Sequence, residues 1–346
     1  MSSVSVVIPC YNYGHYLGDA VSSALDHQDG IDVRVLIIDD ASTDDSAKMA
    51  RKIASGDPRV EVAFHRTNAG NLATYNEGLL DWADGDYTVL LSADDRLTPG
   101  SLPRAAALLD AHPGVGFAYG HPLHFRQGAP LPPARTTVRG WSIWPGRWWL
   151  ERRFRDTHNC ITSPEVMVRT AVQKKVGGYD LRLPHTGDIE MWMRLAAHGD
   201  VGYVRGVDQA YYRVHGENMT NSRTRLVDLR QRRLAFEVLL ERFTDASGDL
   251  DQLSRVVHRK LAEEALWSAA RAYDRGRTHE TPVDDLVAFA LDSWPDARNL
   301  PAYWGFEMRR RVGPSVMPYL QLFVLSAFVR KARNWWWWES WKRRGC

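Results

Sequence analysis

Short apolar runs alternate with segments of helical period along the N-terminal part of the chain. The apolar runs predict strands over residues 4–8, 33–38, 60–64 and 87–91. Helices are predicted between them, over residues 16–27, after the capping sequence at 42–44, and over residues 71–82. This alternation predicts a mostly parallel sheet. Because the strands are continuously apolar, we expect helices to cover both faces of that sheet.

The pattern changes twice farther along the chain. Residues 121–160 hold five prolines and four tryptophans, which predict a long loop region with a short helix near Trp148. From about residue 223 onward, apolar residues such as Leu253, Val257 and Leu261 recur at helical spacing. The sequence therefore predicts an α/β domain followed by a helical appendage.

Composition and charge narrow the class of protein. The 346 residues are 44% hydrophobic and 25% charged, which is typical of a globular chain. The net charge of only +2 argues against a nucleic-acid partner. Cys10, Cys160 and Cys346 fit neither a disulfide framework nor a zinc site, so a reducing compartment is predicted.

The search for targeting and membrane segments predicts a soluble or peripheral protein. The N-terminus lacks a basic region that would mark a signal peptide. The longest apolar run, residues 316–329, is interrupted by polar residues and is shorter than the roughly 20 residues of a membrane span. We therefore expect a cytoplasmic location, with peripheral contact at the inner face of the membrane as an option.

Polar residues follow three of the predicted strands. Residues 9–12 follow the first strand, residues 39–40 the second and residues 92–95 the fourth. In parallel α/β sheets, ligands bind beyond the carboxyl ends of the strands. The three segments therefore predict one binding site at one edge of the sheet.

Two pairs of adjacent carboxylates stand in these segments. Asp94 and Asp95 would repel one another unless a cation neutralised them, and a divalent ion that bridges a diphosphate would do so. A simple turn before the next helix is the alternative. Asp39 and Asp40 suit either an Asp turn or a carboxylate that accepts a base N–H. Tyr11 suits either base stacking or packing.

Six motifs in order resemble the family 2 glycosyltransferases, which have the GT-A fold. The resemblance covers about the first 220 residues, in segments 4–12, 35–44, 68–78, 91–95, 176–195 and 212–220. It implies a GT-A-like, Rossmann-like α/β fold with a mostly parallel sheet flanked by helices. It also implies a catalytic domain over 1–220, with a nucleotide-sugar half near 1–100 and an acceptor half near 101–220, before a helical extension over 221–346.

The resemblance also implies roles for individual residues. Asp188 stands at the position of the general base. The expected nucleotide-binding residues are Pro9, Tyr11, Asn12, Asp39, Asp40, Asn68 and Asn71. The expected metal ligands are Asp94 and His215, and the residues expected beside the donor diphosphate are Ala93, Asp95 and Arg213. The residues alone leave an alternative for each of two positions. Asp188 could be an acid stabilised by the dipole at a helix N-terminus, and His215 could be a loop histidine that hydrogen-bonds the backbone.

The implied function is inverting, metal-assisted transfer of a sugar from a nucleotide diphosphate. The expected donor is a UDP-sugar, the cofactor Mn²⁺ or Mg²⁺, and the acceptor a glycan, a lipid-linked glycan or a small molecule. Two residues depart from the family pattern: Ser92 replaces the first Asp of its metal motif, and Gly187 precedes Asp188. These departures leave an inactive binding or scaffold subunit as an alternative. A sugar-phosphate nucleotidyltransferase is a weaker one, because its glycine-rich N-terminal signature is absent.

The C-terminal tail carries a separate signal. Residues 330–344 contain six basic residues, one acid, Glu339, and five tryptophans. Tryptophan favours the membrane–water interface and basic residues favour anionic headgroups. Residues 319–344 therefore predict peripheral membrane contact, and packing on the appendage or an oligomer contact is the alternative. The sequence predicts no particular oligomeric state.

Overall fold

The computed structural model describes residues 1–216, 218, 224–243, 248–320 and 323–346. The chain forms two compact units. The first comprises Met1–Leu150, Asn159–Asn218 and Lys342–Cys346, and the second comprises Glu151–His158 and Met219–Trp341. The predicted domain boundary at residue 220 falls outside the described residues.

The first unit begins with four parallel strands, as the sequence predicted. They are β1 (Ser3–Cys10), β2 (Asp32–Asp39), β3 (Val60–Phe64) and β4 (Tyr87–Leu90), in the spatial order β3-β2-β1-β4. The helices between them are α1 (Gly14–Leu25), α2 (Ser46–Gly56) and α3 (Asn71–Asn76). The last of these continues as a π-helical segment over Glu77–Trp82, where a regular helix was expected.

The sheet continues beyond β4 with mixed strand directions. The remaining strands are β5 (Arg96–Leu97), β6 (Val115–Arg126), β7 (Trp141–Trp144), β8 (Val166–Arg169) and β9 (Asp200–Val214). The order continues β4-β8-β6-β9-β5, with β7 also on β9, and of these pairs only β6–β9 is parallel. The helices of this part are α4 (Ser101–Ala111), α6 (Thr170–Val176), α7 (Gly187–Ala196) and the first residues of α5 (Gly146–Asp156), whose remainder belongs to the second unit.

Two local predictions hold only in part. The long loop predicted within residues 121–160 is confined to 127–140, because β6 runs through Pro122 to Arg126 and β7 follows the loop. The expected helix near Trp148 is present as α5. Residues 42–44 were expected to cap α2, and Asp44 of this sequence accepts the N–H of Ser46, the first residue of the helix, at 2.9 Å.

Continuous apolar strands place the core of the first unit on both faces of the sheet. On one face Val6, Ile8, Val35 and Ile37 are fully buried in one cluster with Leu17 of α1, and on the other face Val7, Leu36 and Ile38 are buried. Each such side chain contributes about 1.5–3 kcal/mol on burial. The rigid sheet fixes where β1, β2 and β4 end.

The second unit is helical. Its helices are α8 (Arg225–Arg242), α9 (Gly248–Asp274), α10 (Val283–Ser293), α11 (Pro301–Val312), α12 (Met317–Leu320) and most of α13 (Phe323–Arg344). Leu253, Val257 and Leu261 lie on the buried side of α9, as their spacing predicted. None of the helices in the described part of the chain has the length and apolar character that a bilayer crossing requires.

Candidate functional site

The carboxyl ends of β1, β2 and β4 lie at one edge of the sheet, because these neighbouring strands are parallel. The chain turns sharply after two of them. Asn12 and Ala41 have φ values of 60° and 56°, in the left-handed region that non-glycine residues rarely adopt. Backbone of this kind concentrates at functional sites. The ring of Tyr11 at the tip of β1 is 47% exposed, next to the half-buried Pro9.

Side chains in these two turns tie them together. Asn12 donates its N–H to Ser42 Oγ at 2.9 Å and accepts the Thr43 N–H at 2.8 Å. Asp44 accepts the N–H of Gly14 and of Ser46, the first residues of α1 and α2. A Cβ on Gly14 would lie 2.7 Å from the Ser46 backbone, so this close approach requires glycine. Two helix N-termini therefore converge at this edge and favour negative charge there.

Asp39, the last residue of β2, is only 3% exposed. Its Oδ2 accepts the Ser42 N–H at 3.4 Å, whereas its buried Oδ1 has no hydrogen-bond partner among the described residues. A buried acceptor without a donor is costly. The N–H of a bound base would satisfy this oxygen.

Asp40 faces a different set of partners. Its carboxylate accepts the N–H of Ala69 and of Gly70, and Oδ1 lies 2.7 Å from His65 Nδ1. Asn68, expected at the nucleotide, donates to the Asp40 carbonyl oxygen at 3.3 Å. The carboxylate of Asp40 thus holds the 65–70 loop beside the site, and its predicted contact with nucleotide remains a prediction.

His65 bridges two carboxylates. Its Nε2 lies 2.7 Å from Glu77 Oε2, and its Nδ1 is the partner of Asp40. Because both partners are carboxylates, these contacts favour a proton on each ring nitrogen and hence the imidazolium form of His65. Burial lowers the pKa of His65, but hydrogen bonds to Asp40 and Glu77 outweigh burial and raise it above 6.5.

A pH dependence of stability follows from this raised pKa. The hydrogen bonds of His65 to Asp40 and Glu77 stabilise the fold fully below the unfolded-state pKa of His65. This stabilisation is lost as the pH rises through the folded-state pKa of His65. We expect His65→Ala to lower the free energy of unfolding by about 2–3 kcal/mol near pH 6, since two charge-assisted hydrogen bonds are lost. The deficit should shrink at alkaline pH. Chemical denaturation of both proteins across this range measures it.

A matched variant isolates the charge of Glu77. In an NMR titration of the His65 ring, Glu77→Gln should lower the pKa of His65, because one of its two carboxylates becomes neutral. An unchanged pKa of His65 in this variant, or parallel curves of stability against pH for the wild type and His65→Ala, would contradict this role of His65.

Asp94 and His215 are 121 residues apart in the sequence and come together in the first unit. Asp94 follows β4 and His215 follows β9, yet Asp94 Oδ2 lies 2.9 Å from His215 Nε2. The imidazole is 3% exposed and packs edge-on against Tyr13. Asn218 accepts the His215 N–H and donates to the Arg213 carbonyl oxygen, which fixes the turn. Glu217, Met219 and Thr220 of the same motif lie outside the described residues.

Asp95 and Arg213 hold this pair in place. Asp95 is buried beside the buried Ala93, and its Oδ1 accepts the Arg213 N–H at 2.8 Å. Burial, and then the negative charge of Asp94, raise the pKa of Asp95 well above its usual range. The Arg213 guanidinium donates to the Asp94 carbonyl oxygen and lies over the Tyr16 ring at 4.3 Å. Both side chains thus brace Asp94, and their predicted contact with a diphosphate stays a prediction.

Asp188 lies in the first turn of α7 and is half-buried. Ser163 Oγ donates to Asp188 Oδ1 at 3.2 Å. The turn that presents Ser163 is closed by Glu165, whose Oε1 accepts the Thr162 N–H at 2.6 Å. Burial raises the pKa of Glu165 to about 8, although its hydrogen bonds with the N–H and the hydroxyl of Thr162 act in the opposite direction.

Tyr75 lies within range of the charges of Asp188 and of the Asp94–Asp95 pair. Burial raises the pKa of Tyr75 above its usual range, and the negative charges of the three carboxylates raise it further. The predicted nucleotide residue Asn71 hydrogen-bonds the same phenol. Sequence reasoning missed Tyr75, Ser163 and Glu165, because no periodicity or charge pattern marks them.

The donor set is compatible with a divalent cation. Among the described residues, no three His, Cys, Asp or Glu side chains form a ready-made metal site. Asp94 Oδ2 and His215 Nε2, however, are 2.9 Å apart. Adjacent ligands of an octahedral ion with bonds of about 2.1 Å lie about 3 Å apart. Two protein ligands suffice where substrate phosphates and water complete the shell.

Known proteins share this fold. The crystal structure of S. aureus TarS 1–349 in complex with UDP-GlcNAc matches with a TM-score of 0.59 and 18% identity, over 90% of this chain and 91% of that one. A mannosyltransferase from Pyrobaculum calidifontis, in complex with GDP-Man and Mn²⁺, matches with a TM-score of 0.54 and 15% identity, over 96% and 87% of the two chains. The chain thus has the fold of GT-A glycosyltransferases, as expected.

The sequence relationship identifies the family. Residues 5–173 match the model of glycosyl transferase family 2, so the chain contains a domain of that family. An uncharacterized glycosyltransferase of Haemophilus influenzae is 36% identical over 104 residues, which are 30% of this chain and 41% of that protein. The chain therefore spans less than half of that relative. The predicted family and the glycosyltransferase class are confirmed for this domain.

Proposed function

We propose that the chain transfers a sugar from a nucleotide diphosphate to an acceptor hydroxyl, with inversion at the anomeric carbon. One observation carries the proposal: Asp94 and His215, 121 residues apart, meet at 2.9 Å beside the strand ends that also carry Asp39. A carboxylate–imidazole pair next to a buried, unsatisfied acceptor suits a diphosphate joined to a base.

Asp39 and Tyr11 form the base site in this proposal. Oδ1 of Asp39 accepts an N–H of the base, and the exposed Tyr11 ring stacks on it. Uracil offers such an N–H, and the TarS structure with UDP-GlcNAc supports a UDP-sugar as donor. The converging N-termini of α1 and α2 favour the negative diphosphate.

Asp94 and His215 would hold Mn²⁺ or Mg²⁺, and the bound cation would neutralise charge on the departing diphosphate. The mannosyltransferase complex with Mn²⁺ supports this role. His215 could bind the cation only through an Nε2 that carries no proton. Asp95 and Arg213 keep Asp94 in position through β9.

Asp188 is the general base in this proposal. The acceptor oxygen bonds to the anomeric carbon while the bond from that carbon to the phosphate oxygen breaks. The electron pair leaves with the nucleotide diphosphate, and the acceptor proton passes to Asp188. Ser163 orients the carboxylate by donating to Oδ1. The acceptor is a hydroxyl of a glycan, a lipid-linked glycan or a small molecule.

Thermal-shift measurements with nucleotide sugars test the donor. We expect UDP-sugars with Mn²⁺ to raise Tm, since a ligand at about 100 times its Kd adds roughly 2.7 kcal/mol to the free energy of unfolding. GDP- and dTDP-sugars should give smaller shifts, and chelation should reduce the UDP shift.

Asp39→Asn is the matched control for the base site. It preserves the shape of the side chain but turns part of the acceptor into a donor, so the UDP shift should fall sharply. If no nucleotide sugar raises Tm, or if Asp39→Asn responds like the wild type, the donor assignment is wrong.

A further inference from the structure

Half of the large apolar side chains that are exposed in the described chain lie in one segment of the second unit. Of the twenty exposed large hydrophobic residues in the described chain, ten lie between residues 304 and 338. They are Trp304, Met308, Val316, Tyr319, Leu320, Phe328, Val329, Trp335, Trp336 and Trp338. Isolated exposed apolar residues are normal, but a concentration of this kind marks an interaction surface.

Helix α13 arranges part of this segment into a face. Phe328 and Trp335, exposed by 70% and 66%, stand two helical turns apart, and Val329 and Trp336 repeat the same spacing. Trp341, on another side of the helix, is buried. The exposed face is therefore a stripe of apolar side chains along α13, here named the α13 face and defined by Phe328, Val329, Trp335 and Trp336.

The charges of α13 indicate what covers this face. Among the described side chains of α13 that belong to the second unit, Lys331 and Arg333 are exposed cations, and the helix sequence contains the single acid Glu339. A second copy of the chain would bring these cations against an identical set, which is unfavourable. An anionic lipid surface complements them instead, at about 1 kcal/mol for each Lys or Arg near the surface. Tryptophan rings settle at the headgroup level of such a surface.

We propose that the α13 face docks the protein on an anionic phospholipid membrane, lying in the interface without crossing the bilayer. The rings enter the headgroup region, and the cations of α13 contact lipid phosphates. This surface does not depend on the identity of the donor or of the acceptor, so it stands or fails separately from the proposed function.

Flotation of the full chain with vesicles tests the proposal. The protein should float with phosphatidylcholine–phosphatidylglycerol vesicles, should float much less with phosphatidylcholine alone, and should be released as salt is raised. Trp335→Ala/Trp336→Ala should lower partitioning at least about tenfold. Lys331→Gln/Arg333→Gln should lower it about fivefold for each charge removed.

Trp267→Ala provides a matched control, because Trp267 is an exposed tryptophan on α9, outside the segment. It should float like the wild type, and all variants should keep the wild-type Tm. The proposal is overturned if the wild type stays unbound or if the Trp335/Trp336 variant floats unchanged. It is also overturned if light scattering shows a dimer that this variant abolishes, since a second copy would then cover the face.

Discussion

Asp188→Asn is expected to lower kcat by about 10²–10⁴-fold, the range typical of a lost general base. Asparagine keeps the size of the side chain and an oxygen that accepts from Ser163 Oγ. The amide of asparagine cannot take up the proton of the acceptor hydroxyl as a carboxylate does. Donor affinity should stay nearly constant, because the base site at Asp39 and the pair Asp94–His215 belong to other segments of the unit.

The change should cost little stability. Asp188 lies in the first turn of α7, where a negative charge gains about 0.3–1 kcal/mol from the helix dipole. The measurement is kcat and KM for transfer, together with Tm. A loss confined to kcat fits a general base.

Ser163→Ala separates positioning from proton transfer. It removes one of the hydroxyls that hydrogen-bond Asp188, while that of Tyr179 and the carboxylate itself remain, so we expect a smaller fall in kcat than for Asp188→Asn. If Asp188→Asn transfers sugar at the wild-type rate, the base lies elsewhere. If the wild type binds nucleotide sugar but turns over with no acceptor, the scaffold alternative gains.

The part of the site built on neighbouring parallel strands was predictable from the sequence. β1, β2 and β4 run side by side, so the polar residues that follow each strand must meet at one edge. Asp39 and Asp94 were found for that reason. The contact of Asp94 with His215 was not predictable from periodicity, because it depends on β9 returning across the sheet. Only the resemblance to a family pointed to His215.

The region from 121 to 160 shows where composition misleads. Pro122 argued for a loop, because proline cannot donate to a strand ladder. In the structure, β6 continues through Pro122, and the pairing with β9 shifts register between His121 and Pro122. This irregularity lets the strand tolerate a proline. Such an accommodation depends on the partner strand and cannot be seen in the local sequence.

Adjacent acids also needed the structure. In each Asp–Asp pair, one carboxylate fixes the backbone: Asp40 holds the 65–70 loop, and Asp95 holds β9. Asp39 Oδ1 has no hydrogen-bond partner among the described residues, and Asp94 Oδ2 contacts His215. The sequence shows that two acids are adjacent but not which of them binds the backbone. That choice depends on which backbone N–H groups lie within hydrogen-bond distance of each carboxylate.

Removing the side chain of Asp94 or of His215 should greatly weaken the binding of Mn²⁺ to the enzyme. Changes around a metal ligand typically cost 10–100-fold in affinity, so Asp94→Ala and His215→Ala, which remove a ligand outright, should each cost at least about 100-fold. Titration of Mn²⁺ against activity, and against Tm in the presence of donor, measures both effects. If both variants keep the wild-type response to Mn²⁺, the pair does not hold a cation.

Ser92→Asp tests the same site in the opposite direction. Ser92 stands where the family often has the first Asp of its metal motif, and it is half-buried two residues before Asp94. A carboxylate there adds one negative charge near the cation, so we expect Mn²⁺ to bind about tenfold more tightly, equal to about 1.4 kcal/mol. Ser92→Asn changes the size of the side chain without the charge. Tighter binding in Ser92→Asp but not in Ser92→Asn would place the cation beside Asp94, whereas equal behaviour of the two variants would place it elsewhere.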